Sequence, residues 1–113
     1  MAEMSAEQRR TMIACVMRAS SAALNRQLPV NVDDSTIMES TTVDGATLTY
    51  NARINLARSE LQSNAAQLLD QAARRFVCST PDMTQTIAMG GSYRYVWIDR
   101  DGALVHRMLI DRC

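Results

Sequence analysis

The chain contains no lysine: the twelve basic residues in its 113 positions are all arginines, and twelve acidic residues balance them. The missing amine excludes a Schiff base, a pyridoxal anchor, a P-loop lysine and a lysine general base. The arginine bias has its simplest reading in codon usage. Histidine is nearly absent as well, His106 standing by itself, and no Gly-x-Ser-x-Gly elbow occurs to present a nucleophilic serine. There is no excess of either charge. Up to Leu56 the chain carries five arginines against six acids, and beyond it seven against six. Nucleic-acid binding calls for a basic surplus on one face, so nucleic acid is not an expected partner.

Long apolar runs are missing too, and no segment approaches the length that spans a bilayer. Membrane insertion by this chain is therefore not expected. Met12-Ile13-Ala14-Cys15 has the residue classes of a lipoprotein cleavage box. Glu7, Gln8, Arg9 and Arg10 stand where the apolar core of an export signal belongs, so the segment reads as helix instead.

What remains is the pattern of one small domain, residues 1–113. Ser5-Ala6-Glu7-Gln8 has the form of a capping box. Met12, Val16, Ala19 and Ala23 then recur at helical spacing until Pro29, which predicts a helix from Ala6 to Gln27 with that stripe buried. From Thr36 to Val43 the β-branched residues have strand chemistry, Leu48, Tyr50, Ala52 and Ile54 alternate with polar residues, and Asp44-Gly45 between the two runs signals a hairpin. A two-residue loop sets Glu39 beside Tyr50. A three-residue loop sets Met38 there, which the apolar match favours.

Asn55 or Ser59 can cap a second helix whose predicted buried face is Leu61, Ala65, Leu68, Leu69, Ala72 and Phe76. Thr80-Pro81-Asp82 opens a short helix that ends at Gly90-Gly91. A second hairpin follows, Tyr93 to Ile98 and Ala103 to Ile110 about the turn Asp99-Arg100-Asp101-Gly102. The order αββ-ααββ predicts an α+β fold: a four-stranded antiparallel sheet with helices packed on one face.

The cysteines stand at positions 15, 78 and 113. In this layout the last strand runs back beside the start of the strand before it, so the chain end returns toward the exit of the second helix. Cys78 and Cys113 become neighbours able to form a disulfide, which suits an oxidising compartment. Cys15 flanks the first helix's stripe and reads as a small buried hydrophobe, with an intermolecular disulfide as the alternative.

Few residues offer chemistry. His106 alternates with Leu104, Met108 and Ile110 and reads as a hydrogen-bonded strand residue before it reads as a general base. Asp99, Asp101 and Gly102 resemble the opening of a calcium loop. The twelfth position from Asp99 is Ile110, where an EF-hand needs glutamate, so turn chemistry explains them. Asp33-Asp34 reads as a local backbone-bonding pair. No cofactor or metal is expected. Tyr93, Tyr95 and Trp97 alternate on one face of their strand and Val96 and Ile98 on the other. If helices cover Val96 and Ile98, the aromatic face is open to a protein partner or to a second copy of the chain, and a homodimer is expected on that ground; the alternative is a strand buried on both sides or an aromatic core face.

The segment Leu28-Pro29-Val30-Asn31-Val32-Asp33-Asp34-Ser35-Thr36-Ile37 and the strand Leu48-Thr49-Tyr50-Asn51 resemble a loose group of small bacterial proteins, commonly exported or membrane-anchored, with no assigned activity. Cys78, Tyr93-Arg94-Tyr95 and the terminal Cys113 match the same pattern, over roughly residues 20 to 113. The resemblance implies fold and an exported or membrane-anchored compartment, with cytoplasmic location as the alternative, and an export leader is not expected within residues 1–113. Three functional classes stay open: a non-enzymatic envelope or secreted protein acting through protein contacts, a cytoplasmic inhibitor or immunity-type protein, and a small hydrolase using Asp33, Asp34 or His106.

Overall fold

The computed structural model describes residues 5–113. Helix α1 (Ala6–Asn25) is followed by strands β1 (Val30–Asn31), β2 (Thr36–Asp44) and β3 (Thr47–Ile54). A short 3-10 turn (Arg58–Glu60) leads to helices α2 (Ala65–Cys78) and α3 (Pro81–Ala88), and then to β4 (Ser92–Ile98) and β5 (Leu104–Ile110). The described residues thus form an α+β fold with a five-stranded sheet in the order β1-β2-β3-β4-β5.

The sheet is mixed, not wholly antiparallel as predicted. Both hairpins form, but β3 and β4 pair in parallel. The reason lies in the connection: the 3-10 turn, α2 and α3 carry the chain back to the end of the sheet where β3 began, and a long crossover of this kind joins parallel neighbours. The extra strand, Val30–Asn31, pairs with Met38 and Ile37 where the sequence reading has only a loop after Pro29.

The first hairpin takes neither predicted register. Gly45 has φ +58° and the turn closes with Asp44 opposite Thr47, so Tyr50 faces Thr41. A bulge between Met38 and Ser40 then absorbs one residue, and Met38 lies opposite Ala52. The bulge keeps Met38, Thr41 and Val43 on one face while leaving Glu39 free to bind Arg53 at 3.0 Å.

One apolar cluster joins the layers. Ile13 and Met17 of α1, Ala73 and Val77 of α2 and Met83 of α3 meet Leu48, Ala52, Ile54, Tyr93, Tyr95, Trp97, Met108 and Ile110 of the sheet. The strand residues in it alternate, so the helices share one face of the sheet. Gly91 is the most crowded of the glycines. A Cβ there would come 2.7 Å from Thr86 Cγ2 and 3.0 Å from Ile13 Cγ2, so the start of β4 meets α1 and α3 at backbone distance.

Both long helices are rolled relative to the faces predicted from apolar spacing. On α1 the capping box forms as expected, with Ser5 Oγ accepting from the Gln8 N–H at 3.1 Å and Gln8 Oε1 from the Ser5 N–H at 2.8 Å. Its buried residues, however, are Ile13, Met17 and Ser21, while Val16 is 45% exposed and Ala19 and Ala23 lie outside. Ser21 turns inward because Thr41 waits there, hydroxyl to hydroxyl at 2.6 Å, and Asn25 bonds the Thr41 backbone on both sides.

α2 starts only at Ala65, after the 3-10 turn, with Asn64 as N-cap in place of Asn55 or Ser59. It buries Ala73 and Val77 and leaves Leu68, Ala72 and Phe76 exposed. Two tethers hold that roll: Asp70 accepts a bond from His106 of β5, and Cys78 is joined to Cys113 beyond it.

Candidate protein-binding groove

Rolling α1 leaves apolar side chains without cover. Met12 and Val16 flank the buried Ile13 and Met17, and together with Ser20, Ala23 and Leu24 they form one wall of a groove of about 610 Å³. Asp82, Gln85, Thr86 and Met89, along α3 and its C-terminal end, form the other. The floor is Leu48, Tyr50 and Tyr93. Methionines stand on both walls, and their flexible, polarisable chains conform to whatever apolar shape enters.

The floor is stiff. Tyr50 stacks on Tyr93 at 6.4 Å and on Tyr95 at 4.9 Å, Tyr95 on Trp97 at 5.4 Å, and Trp97 on His106 at 5.8 Å between ring centroids. The rings run from beneath the groove across β3, β4 and β5. Burial, reinforced by the neighbouring Tyr93, pushes the Tyr50 phenol up to about 12, and burial raises Tyr93 and Tyr95 as well. At neutral pH the floor is uncharged. Among the described groove-lining residues Asp82 alone carries a charge, and it is exposed.

The sequence expectation that Tyr93, Tyr95 and Trp97 form an open face does not hold. They are 6–7% exposed, because the helices cover that side of β4 and not the side of Val96 and Ile98. They contribute the groove floor and the core beneath it. A strand with apolar residues on both faces does not say which face its helices will choose, and here ring size decides: aromatic surfaces remove the most area from water.

The other candidate residues are dispersed. His106 bonds Asp70 through Nε2 at 3.1 Å, and Asp70 also accepts from Arg74 at 3.2 Å. That hydrogen bond from His106, with Arg74 in support, holds the Asp70 carboxyl below its ordinary range despite some desolvation. Asp33 accepts the Ser35 N–H at 2.8 Å in a local turn, and Asp34 is exposed. Asp33 and Asp34 lie at the β1 end of the sheet and His106 on β5 at the opposite edge, so no common site unites them. Asp99 is buried and accepts the N–H groups of Asp101 and Ala103 at 2.8 and 2.9 Å, which is turn closure and not a calcium loop. Among the described residues no group of three or more His, Cys, Asp or Glu is placed to hold a metal, and no helix is long and apolar enough to cross a membrane.

Cys78 and Cys113 are disulfide-bonded, their Cα atoms 5.7 Å apart. Cys15 is exposed and not the buried hydrophobe expected from spacing, because Ile13 and Met17 take the sheet-facing positions of α1. It lines a shallower depression with Glu7, Gln8, Thr11 and Met12.

The groove walls were missed as a site by the sequence reading. A signal was present: α1 carries two adjacent apolar stripes, Met12-Val16 beside Ile13-Met17, and one packed face needs one.

No family model matches the chain, and no curated protein does so. Solved structures do. The chain is similar to the pilotin EpsS of the type 2 secretion system of Vibrio vulnificus, with a TM-score of 0.81 at 12% identity over 92% of each chain. It is also similar to AspS, the type II secretion system pilotin of Vibrio cholerae, with a TM-score of 0.76 at 17% identity over 92% of this chain and 93% of that one. A Pseudomonas aeruginosa protein described as secreted gives a TM-score of 0.73 at 17% identity over 96% and 95%. At these identities the likeness is one of fold.

Proposed function

We propose that this is a non-enzymatic protein of the bacterial envelope that receives an amphipathic helix of a secretion-system component in the groove between α1 and α3. The groove carries the reading. Its walls are exposed Val16 and half-buried Met12 and Met89 over a neutral aromatic floor, which is the surface that an apolar helix face seeks. Asp82 on the rim selects a basic residue beside the partner's apolar face. The pilotin names of two structural neighbours support the choice of a secretion component. The Cys78–Cys113 bond supports an oxidising compartment.

The test is a photo-crosslinking residue at Val16 in the full gene expressed in its native host. The expected adduct is a protein of the secretion machinery, lost on Met89→Glu while the thermal midpoint stays within a few degrees of the parent. Adducts confined to cytoplasmic enzymes, or recovery of the native protein in the cytoplasm with three free thiols, would overturn the reading.

A further inference from the structure

The two edges of the sheet are unlike. β1 is two residues long and follows the Leu28-Pro29 bond, a short edge that offers little to an incoming strand. β5 has seven residues, no proline and one arginine, and no strand lies outside it among the described residues. Its backbone groups that point away from β4 therefore lack ladder partners. One end is occupied, the Arg58 guanidinium donating to the Leu104 carbonyl at 2.8 Å. From His106 onward the edge is free, and Leu109 on it is 41% exposed.

What such an edge accepts is another extended strand, and the residues say which. In Arg107-Met108-Leu109-Ile110-Asp111 a positive and a negative charge stand equidistant from Leu109, with an apolar residue between each of them and the centre. Neither the Arg107 nor the Asp111 side chain makes an ion pair or hydrogen bond within the chain among the described residues. We propose that two copies of this chain pair antiparallel through β5, centred on Leu109. Arg107 then faces the second copy's Asp111, Met108 faces Ile110, and Leu109 meets its own counterpart. Centring on Arg107 would oppose two arginines, and centring on Met108 would set Arg107 opposite Leu109 and Asp111 opposite Val105, leaving both charges against apolar residues. Of these three registers only the one centred on Leu109 pairs Arg107 with Asp111. The result is one sheet running through both copies, and the groove on α1 and α3 stays open because it lies elsewhere in the fold.

Sedimentation velocity of the full chain over a range of micromolar concentrations tests this. A concentration-dependent dimer is expected, weakened about tenfold or more by Arg107→Asp and restored when Asp111→Arg is added to it. Leu109→Cys in a Cys15→Ser background gives a second readout. Antiparallel partners at a two-fold axis bring their Cα atoms about 4.5–5.5 Å apart, within disulfide reach, so oxidation is expected to yield a covalent dimer. A wild-type monomer at high micromolar concentration, a dimer indifferent to the charge swap, or a Leu109→Cys chain that stays monomeric on oxidation overturns the proposal. Loss of the dimer leaves the crosslinking test at Val16 unaffected, so the two readings fail separately.

Discussion

The hydroxyls of Ser21 and Thr41 meet at 2.6 Å in the seam where α1 crosses β2, and both residues are buried. Asn25 completes the seam by accepting the Thr41 N–H at 2.7 Å and donating to the Thr41 carbonyl at 3.0 Å. A helix side chain thus bonds the strand backbone as a neighbouring strand would. Thr41→Val keeps the shape and strands a buried hydroxyl. We expect a loss of about 1–3 kcal/mol in urea unfolding. Adding Ser21→Ala is expected to cost less than the sum of the two changes, because the two groups share one bond. A neutral Thr41→Val would mean that this pair does not hold the roll of α1.

Gly91 is crowded without being strained. Its added Cβ would meet Thr86 Cγ2, Ile13 Cγ2 and the Thr86 carbonyl within 3.1 Å, so Gly91→Ala must push α1 or α3 away from β4. The expected penalty is about 1–3 kcal/mol, as for overpacking elsewhere, read from denaturant midpoints. Gly45 is the converse case, with φ +58° and open space about it. Gly45→Asn is expected to cost much less than Gly91→Ala, because asparagine tolerates that conformation.

The disulfide joins residues 35 apart, closing α3, β4 and β5 into one loop. In the chain-entropy treatment a loop of that length contributes about 4 kcal/mol, a large share of the stability of a small domain. Cys113→Ser is therefore expected to lower the unfolding free energy by that order, and a reducing agent to do the same to the wild type. Thiol titration of the unfolded, unreduced protein is expected to find one reactive cysteine, Cys15. Three would remove the bond from the account.

The Asp70 carboxyl is held below its ordinary value chiefly by the hydrogen bond from His106. A depressed folded value means that the ionised Asp70 carboxylate contributes stability above the unfolded carboxylate value, near pH 4, and that this is lost as pH falls through the lower folded value. Asp70→Asn is expected to flatten the stability profile between about pH 5 and pH 3, as measured by urea midpoints across that window. An unchanged acid limb would show that the contact carries no linkage.

The tyrosines give the opposite sign. Tyr50, raised to about 12 by burial and by Tyr93, keeps its neutral form in the fold, and Tyr93 and Tyr95 are raised too. Their contribution is intact below the free phenol value near pH 10 and is lost as pH climbs through the folded value. Ultraviolet titration of the native protein is expected to show no phenolate step near pH 10, with all three tyrosines ionising together on alkaline unfolding. A resolved native step there would mean that at least one ring of the floor is open to water.

Much of the architecture was legible in the residues. The capping box at Ser5-Gln8, a hairpin turning at Gly45, the Asp99-Gly102 turn, Pro81 at the head of α3 and the α+β class all follow from local chemistry, although the first turn sits one residue later than Asp44-Gly45. The parallel join of β3 to β4 was not, because strand pairing depends on where a crossover lands, and no local pattern records that.

The sequence by itself determined that α1 and α2 are amphipathic helices beside two hairpins, since apolar spacing and turn residues act within a few positions. Only the tertiary structure decided which way those helices roll. Burial of apolar area is non-directional, and α1 and α2 carry apolar arcs wide enough to satisfy it in more than one orientation. Directional contacts broke the tie: Ser21 and Asn25 on Thr41 for α1, Asp70 on His106 and Cys78 on Cys113 for α2. That choice left Met12 and Val16 uncovered on the wall of the groove, so the polar partners inside the fold selected the apolar surface that it presents.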